Sequence, residues 1–298
     1  MVQLILGTVQ LGMDYGINNK SGKPDFENAF GILNYAFNNG ICLLDTANAY
    51  WDSEEIIGNF IKDTGNDFNI ITKLSSCGKI EDLNSFVLNQ INNSLERLSK
   101  KFIDLYLIHD FNDLIINDDL IDILSSIKDS GKIKKIGVSL YDPSELEYLI
   151  LNHAENIDFV QIPFNILDSR WLKNNLLTET KKSGINIFVR SIFLQGLIFM
   201  EDEVEMDKID LSLKFYLENL KKFADSKQIS LNRLAIDYVC SFDEIDGILI
   251  GCETVDQLKD NITQFNREIS ITDGDKLKIV ELTNDIPEKI IDPRKWNN

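Results

Sequence analysis

The segment Ile103-Asp-Leu-Tyr-Leu-Ile-His109, an apolar run that ends on a histidine, decides the fold. Two earlier runs have the same form: Ile41-Cys-Leu-Leu-Asp45 ends on an aspartate, and Phe68-Asn-Ile-Ile-Thr-Lys73 ends on a lysine. Short apolar runs separated by amphipathic stretches predict the buried strands of a parallel sheet. Because the carboxyl ends of such strands meet on one face, Asp45, Lys73 and His109 are expected to lie close together.

The same alternation extends along the chain and predicts an α/β fold. The predicted strands are 3–7, 41–45, 68–73, 103–108, 134–138, 158–161, 186–190 and 247–250. The predicted helices are 26–38, 53–63, 81–99, 117–130, 143–152, 172–183, a region within 209–242, and 255–265. Eight strand–helix units without a linker predict one closed (β/α)8 TIM barrel, a single domain over 1–298 with a C-terminal helix and tail from about residue 273. A doubly wound sheet is less favoured, since Gly7-Thr-Val-Gln-Leu-Gly12 lacks the G-x-G-x-x-G spacing.

Composition restricts the possible partners. The 298 residues carry 48 acidic and 30 basic side chains, a net charge of −18, which disfavours nucleic acid and anionic membranes. No apolar run approaches the roughly 20 residues of a membrane span. We therefore expect a cytoplasmic monomer or small homo-oligomer that acts on a small molecule and holds no metal. The four cysteines show no metal-binding spacing and are expected to be reduced, with Cys42 buried in its strand and Cys77 the one that could be exposed.

A tyrosine joins the three strand-end residues, because Tyr50 follows Asp45 in the next loop. Tyrosine is a weak acid, with an ordinary pKa of about 10, unless a cation lowers that pKa. Lys73 could supply the cation, Asp45 could hold it, and His109 could orient a carbonyl oxygen. Taken alone, the Asp–Lys pair could be structural and so could the histidine. The combination predicts proton transfer to or from a carbonyl oxygen.

Taken together, these segments resemble the aldo-keto reductase family over nearly the whole chain. The matching blocks are Leu44-Asp-Thr-Ala-Asn-Ala-Tyr50, Ile71-Thr-Lys73, Ser94-Leu-Glu-Arg-Leu98, Ile103 to His109, Gly137-Val-Ser139 and Val160-Gln161. The resemblance implies a (β/α)8 barrel and hydride transfer with a nicotinamide dinucleotide. It makes Tyr50 the general acid, Lys73 and Asp45 the residues that tune it, and His109 the residue that positions the carbonyl. The segments 6–16 and 190–197 are similar to bacterial members found in surface-polysaccharide gene clusters.

The resemblance also implies a cofactor site. Ser139 and Gln161 would hold the nicotinamide carboxamide, and Arg190 stands where many members stack a tyrosine on the ring. The other residues expected to contact the cofactor are Ser191, Phe193, Gln195, Gly251, Glu253, Gln257, Asp260 and Asn261.

The sequence leaves NADPH and NADH open. Members of the family commonly use NADPH, and Lys259 could bind its 2′-phosphate if the side chain turns inward. Glu253 favours NADH, because a carboxylate repels a 2′-phosphate and accepts a hydrogen bond from a free 2′-hydroxyl.

The leading hypothesis is an NAD(P)H-dependent oxidoreductase that reduces an aldehyde or ketone to an alcohol, with a sugar-derived carbonyl among the candidate substrates. An aldose dehydrogenase working in the oxidative direction and a cofactor-binding regulatory barrel with little turnover are alternatives, as is a lyase that uses Lys73 as a Schiff-base amine. Trp51, directly after the predicted general acid, is expected to wall the substrate pocket.

Overall fold

All eight predicted strands form and close into a parallel barrel in the computed structural model, which describes residues 2–19 and 21–296. The strands follow one another in sequence order around the barrel, and the last pairs with the first. They are β1 (Gln3–Gly7), β2 (Leu43–Asp45), β3 (Asn69–Leu74), β4 (Ile103–Ile108), β5 (Ile133–Ser139), β6 (Phe159–Pro163), β7 (Asn186–Arg190) and β8 (Gly247–Gly251). The predicted (β/α)8 barrel is confirmed.

The helices surround the barrel and connect its strands. They are α1 (Val9–Gly12), α2 (Phe26–Asn38), α3 (Ser53–Thr64), α4 (Leu83–Leu98), α5 (Phe111–Ile116), α6 (Leu120–Asp129), α7 (Pro143–His153), α8 (Leu176–Lys182), α9 (Glu203–Ile209), α10 (Leu213–Ser226), α11 (Leu231–Cys240), α12 (Val255–Phe265), α13 (Asp273–Thr283) and α14 (Glu288–Ile291). Short 3-10 segments occupy Arg170–Asn175, Leu194–Phe199 and Pro293–Lys295. Among the described residues, no helix has the length and apolar content that a membrane crossing requires.

Two details of the prediction were wrong. Strand β2 begins at Leu43, so Cys42 lies before it and is exposed, whereas Cys77 is only partly exposed. The predicted helix 172–183 is a 3-10 segment followed by α8, because Asn174 and Asn175 take left-handed backbone angles that no α-helix accommodates.

The barrel interior is packed with side chains that alternate along each strand. Its apolar cluster consists of Ile5, Leu43, Ile71, Leu105, Leu107, Phe159, Phe188 and Leu249. Gly137 makes room for Phe159, since a Cβ at Gly137 would lie 2.6 Å from the phenylalanine ring. The next inward position toward the carboxyl end, two residues further along β2 and along β3, holds a polar residue. The strand alternation that buries Leu43 and Ile71 therefore also points Asp45 and Lys73 into the barrel.

Candidate active site

A buried ion pair forms the base of the site. The Lys73 Nζ lies 2.8 Å from Oδ1 and 2.7 Å from Oδ2 of Asp45, and both side chains are almost fully buried. The ammonium also donates to the Thr46 carbonyl oxygen at 2.8 Å. All three donor positions of the lysine are therefore occupied, and the amine is not free to act as a nucleophile.

Tyr50 and His109 lie above this pair. The Lys73 Nζ is 4.9 Å from the centroid of the Tyr50 ring. The Tyr50 and His109 rings meet edge to face, with centroids 6.1 Å apart. The structure thus brings the four strand-end and loop residues of the prediction into one cluster, although Asp45 and His109 are 64 positions apart in the chain (109 minus 45).

Burial sets the protonation states of the two proton-carrying groups. Burial, followed by the charge of Asp45, raises the pKa of Tyr50 above its ordinary value of 10.0. The expected net lowering of this pKa is therefore wrong for this structure, because burial and the charge of Asp45 outweigh the effect of the nearby cations. Burial and then the charges of Lys73 and Arg190 lower the pKa of His109 to about 3. At neutral pH the phenol is protonated and the imidazole is neutral, so both can donate a hydrogen bond.

A cavity of about 470 Å³ opens over the carboxyl ends of the strands. All the predicted site residues line it except Lys73, which lies behind Asp45, and Trp51. The lining includes Tyr50, His109, Ser139 and Gln161. It also includes Gly251 at the end of β8, Glu253 in the loop that follows, and Gln257, Asp260 and Asn261 of α12. Arg190, Ser191, Phe193 and Gln195 also line it.

Hydrogen bonds within the protein already occupy some polar atoms of these side chains. The Gln161 amide nitrogen donates to Asp45 at 2.8 Å, which leaves the amide oxygen of Gln161 for a ligand. Asp260 accepts from the Asn232 and Gln264 amide nitrogens at 2.7 and 2.9 Å. Its carboxylate is therefore already hydrogen-bonded by the protein.

Trp51 does not wall the cavity, contrary to the prediction. Its side chain is 72% exposed, and its backbone has a left-handed φ of 46°. The turn after Tyr50 carries the indole outward, because the left-handed residue reverses the chain direction before α3 begins at Ser53.

Sequence reasoning missed several polar residues of the lining, among them Gln10, Tyr15, Tyr141 and Asn232. Tyr15 is half-buried, and desolvation raises its pKa to about 12. Tyr141 could have been found, since it lies two residues beyond the strand-end Ser139. Gln10 and Asn232 each have a buried side-chain oxygen without a hydrogen-bond partner among the described residues. No His, Cys, Asp or Glu cluster suited to a metal ion occurs in the part of the chain that is described.

The barrel with this cluster at its carboxyl face defines a class of oxidoreductase. The sequence pattern of the aldo/keto reductase family matches residues 3–281, and the chain belongs to that family. Among solved structures, the aldo-keto reductase AKR11C1 from Bacillus halodurans in its holo form has a similar fold, with a TM-score of 0.76 and 22% identity over 97% of this chain and 95% of that one.

Two curated bacterial relatives show the range of the similarity. The aldo-keto reductase YhdN of Bacillus subtilis is 28% identical over 201 residues, which cover 64% of this chain and 60% of that protein. The NADH-specific methylglyoxal reductase of Escherichia coli is 26% identical over 282 residues, which cover 82% of this chain and 83% of that protein.

Proposed function

We propose that this protein is an NADH-dependent oxidoreductase that reduces a small aldehyde or ketone to an alcohol and can also run in reverse. The observation that carries the proposal is the contact of the buried Asp45–Lys73 pair with Tyr50, beside a neutral His109 in the lining of the cavity. A binding module with little turnover has no need of a protonated phenol beside a buried ammonium group.

The chemistry follows from the protonation states. A bound nicotinamide supplies or accepts the hydride. Tyr50 is protonated at neutral pH and donates its proton to the carbonyl oxygen. The Lys73 ammonium, 4.9 Å from the phenol ring, stabilises the negative charge that this transfer leaves on the phenol oxygen. His109 is neutral and can donate a hydrogen bond that orients the carbonyl.

The cavity lining suits a dinucleotide. Arg190 lines the cavity and donates to the Leu140 carbonyl and Ser191 hydroxyl oxygens. It has no carboxylate partner among the described residues, so it is available to an anionic group. The unpaired oxygens of Gln10 and Asn232 can accept hydrogen bonds from ligand hydroxyl or amino groups. Ser139 and the free amide oxygen of Gln161 lie at the catalytic end and could hold a carboxamide.

NADH is favoured over NADPH by the charges near α12. Glu253 lines the cavity, whereas Lys259 pairs with Asp256 at 2.8 Å and lies over the Tyr35 ring. Lys259 therefore does not offset the repulsion between Glu253 and a 2′-phosphate. Arg190 is the only lysine or arginine lining the cavity in the described part of the chain.

A sugar-derived carbonyl is the substrate class that we favour within this proposal. The hydroxyl-bearing rings of Tyr15 and Tyr141 line the cavity that holds Tyr50. Two additional phenols can hydrogen-bond to the hydroxyl groups of a short aldose, which an apolar aldehyde lacks.

Cofactor choice can be tested by titrating the purified protein with NADH and NADPH and following tryptophan fluorescence. We expect NADH to bind more tightly, and Glu253→Gln to reduce the difference by about tenfold, the effect of losing one close like-charge contact. Glu268→Gln is the matched control, because Glu268 is exposed, forms no ion pair with another described residue and lies outside the cavity. Tighter binding of NADPH would overturn the NADH assignment, and binding of neither would overturn the oxidoreductase proposal.

Turnover can be tested with short aldoses and apolar aldehydes of matched length, following NADH consumption. Tyr50→Phe should lower kcat by about 10²- to 10⁴-fold, the usual contribution of a general acid, and leave the Kd for NADH unchanged. Tyr148→Phe, on the surface of α7, should leave both unchanged. Tight NADH binding without consumption of any carbonyl would favour the regulatory alternative.

A further inference from the structure

The C-terminal turn contacts Tyr141, a residue of the cavity lining, through Arg294. The guanidinium carbon of Arg294 lies 4.0 Å from the centroid of the Tyr141 ring, and that of Arg190 lies 4.1 Å from the same centroid. Two planar cations of this size cannot both cover one face of a six-membered ring, and their like charges would repel. The Tyr141 ring is therefore held between two guanidinium groups, one on each face.

Each layer of this stack is fixed by separate contacts. Arg294 makes two hydrogen bonds of 2.8 Å to the carboxylate of Asp292, which is 3% exposed. The Tyr141 backbone N–H donates to Glu145 at 2.7 Å. Arg190 donates to the Leu140 carbonyl oxygen at 3.0 Å.

The two arginines differ in their charge balance. The charge of Arg294 is neutralised by Asp292, so it adds little to the field in the cavity. Arg190 has no carboxylate partner among the described residues, and it lines the cavity. In a protein of net charge −18, this unneutralised cation is the group best placed to attract an anionic ligand.

We infer that Arg294 is a positioning residue for cofactor binding. It braces the outer face of Tyr141, and the braced ring holds the Arg190 guanidinium toward the cavity, where it contacts a phosphate group of the dinucleotide. This inference rests on the proposed function, because the anionic ligand is the cofactor. It assigns a role in cofactor affinity to a C-terminal turn that has no catalytic group.

The test is a double-mutant cycle on the Kd for NADH, measured by tryptophan fluorescence. Arg294→Ala should weaken NADH binding by roughly threefold to thirtyfold, the range of one partly buried cation–π contact. In an Arg190→Gln background the same change should have almost no further effect, since Arg294 acts through Arg190. Lys295→Ala is the control, because Lys295 pairs with Glu288 in the same turn.

A second pair of variants separates positioning from folding, since Arg294→Ala leaves the buried Asp292 without its partner. Tyr141→Leu removes the ring and should weaken NADH binding as Arg294→Ala does, whereas Tyr141→Phe keeps the ring and should weaken it by a smaller factor. In Arg294→Ala, kcat at saturating NADH should change by a smaller factor than the Kd for NADH. Equal effects of Arg294→Ala with and without Arg190, or no effect of Tyr141→Leu, would overturn the inference. If the wild-type protein binds neither NADH nor NADPH, the proposed function fails instead.

Discussion

The ammonium of Lys73 lies within 2.8 Å of both carboxylate oxygens of Asp45, inside a barrel where neither side chain has significant access to solvent. Removing two charges from water costs several kcal/mol each, so such a pair is a weak contributor to net stability. Removing one member is different, because it leaves the other charge buried without compensation. The protein should therefore lose more stability when one member of the pair is replaced than when both are replaced.

We therefore expect Lys73→Met to lower the free energy of unfolding by about 3–5 kcal/mol, and Asp45→Asn to lower it substantially as well. The double variant should lose clearly less than the sum of the two, since it contains no unpaired charge. Urea unfolding of the four proteins measures the coupling.

The exposed pair Lys259–Asp256, with the same 2.8 Å separation, provides the control for this cycle. Its Lys259→Met and Asp256→Asn variants should each change stability by less than about 1 kcal/mol. Additive losses for Lys73 and Asp45 would mean that the two groups do not act as a pair.

His109 should make the protein less stable in mild acid. Its pKa is lowered to about 3 in the folded protein by burial and then by Lys73 and Arg190, against an ordinary value of 6.5. Between these two values the unfolded chain binds a proton at this position and the folded chain does not. The contribution of His109 is therefore complete above pH 6.5 and declines as the pH falls toward 3, by at most about 1.4 kcal/mol per pH unit.

Urea unfolding at several pH values across this window measures the effect. His109→Gln should make this decline in stability shallower. His153→Gln replaces the chain's other histidine, at the end of α7, and should leave the decline as in the wild type. A decline as steep in His109→Gln as in the wild type would assign the effect to carboxylates with lowered pKa values, such as Asp142 and Asp292, and would contradict the prediction for His109.

The sequence was sufficient for three members of the candidate site because each of them lies at the end of a strand. Strand order and side-chain alternation place Asp45, Lys73 and His109 without any knowledge of the loops. The contact of Asn232 with Asp260 depends on how α11 packs against α12. Periodicity in the sequence does not indicate how two helices pack against each other. Trp51 was misplaced for a related reason, since one left-handed residue in a turn decides where its side chain points.

Gly12 fixes the backbone position of the proposed general acid. A Cβ added at Gly12 would lie 1.8 Å from the Tyr50 carbonyl oxygen, so any side chain there must displace the loop that carries Tyr50. We expect Gly12→Ala to lower the free energy of unfolding by about 1–3 kcal/mol, the usual cost of overpacking. It should also lower kcat by about tenfold or more, because small displacements of a reacting group are costly.

Gly274 in α13 is the matched control, since the nearest atom to an added Cβ there lies 3.7 Å away. Gly274→Ala should leave kcat unchanged and stabilise the helix by up to about 1 kcal/mol. A wild-type kcat for Gly12→Ala would mean that the loop shifts without moving the Tyr50 phenol.

Trp51 allows strain and function to be separated at one position. A left-handed φ of 46° costs a residue with a side chain about 1–2 kcal/mol, whereas glycine adopts it freely. Little burial is lost on removing an indole that is 72% exposed, whereas the greater entropy of glycine in the unfolded chain offsets part of the relieved strain. Trp51→Gly should therefore raise the free energy of unfolding by about 0.5–1 kcal/mol. Because the indole lies outside the cavity, KM for a short aldehyde should stay within about twofold of the wild type, well below the effect of losing an aromatic contact. Thermal unfolding and initial rates measure both quantities. A gain in stability together with a large rise in KM would instead place the indole at the substrate and explain why the strained residue is not a glycine.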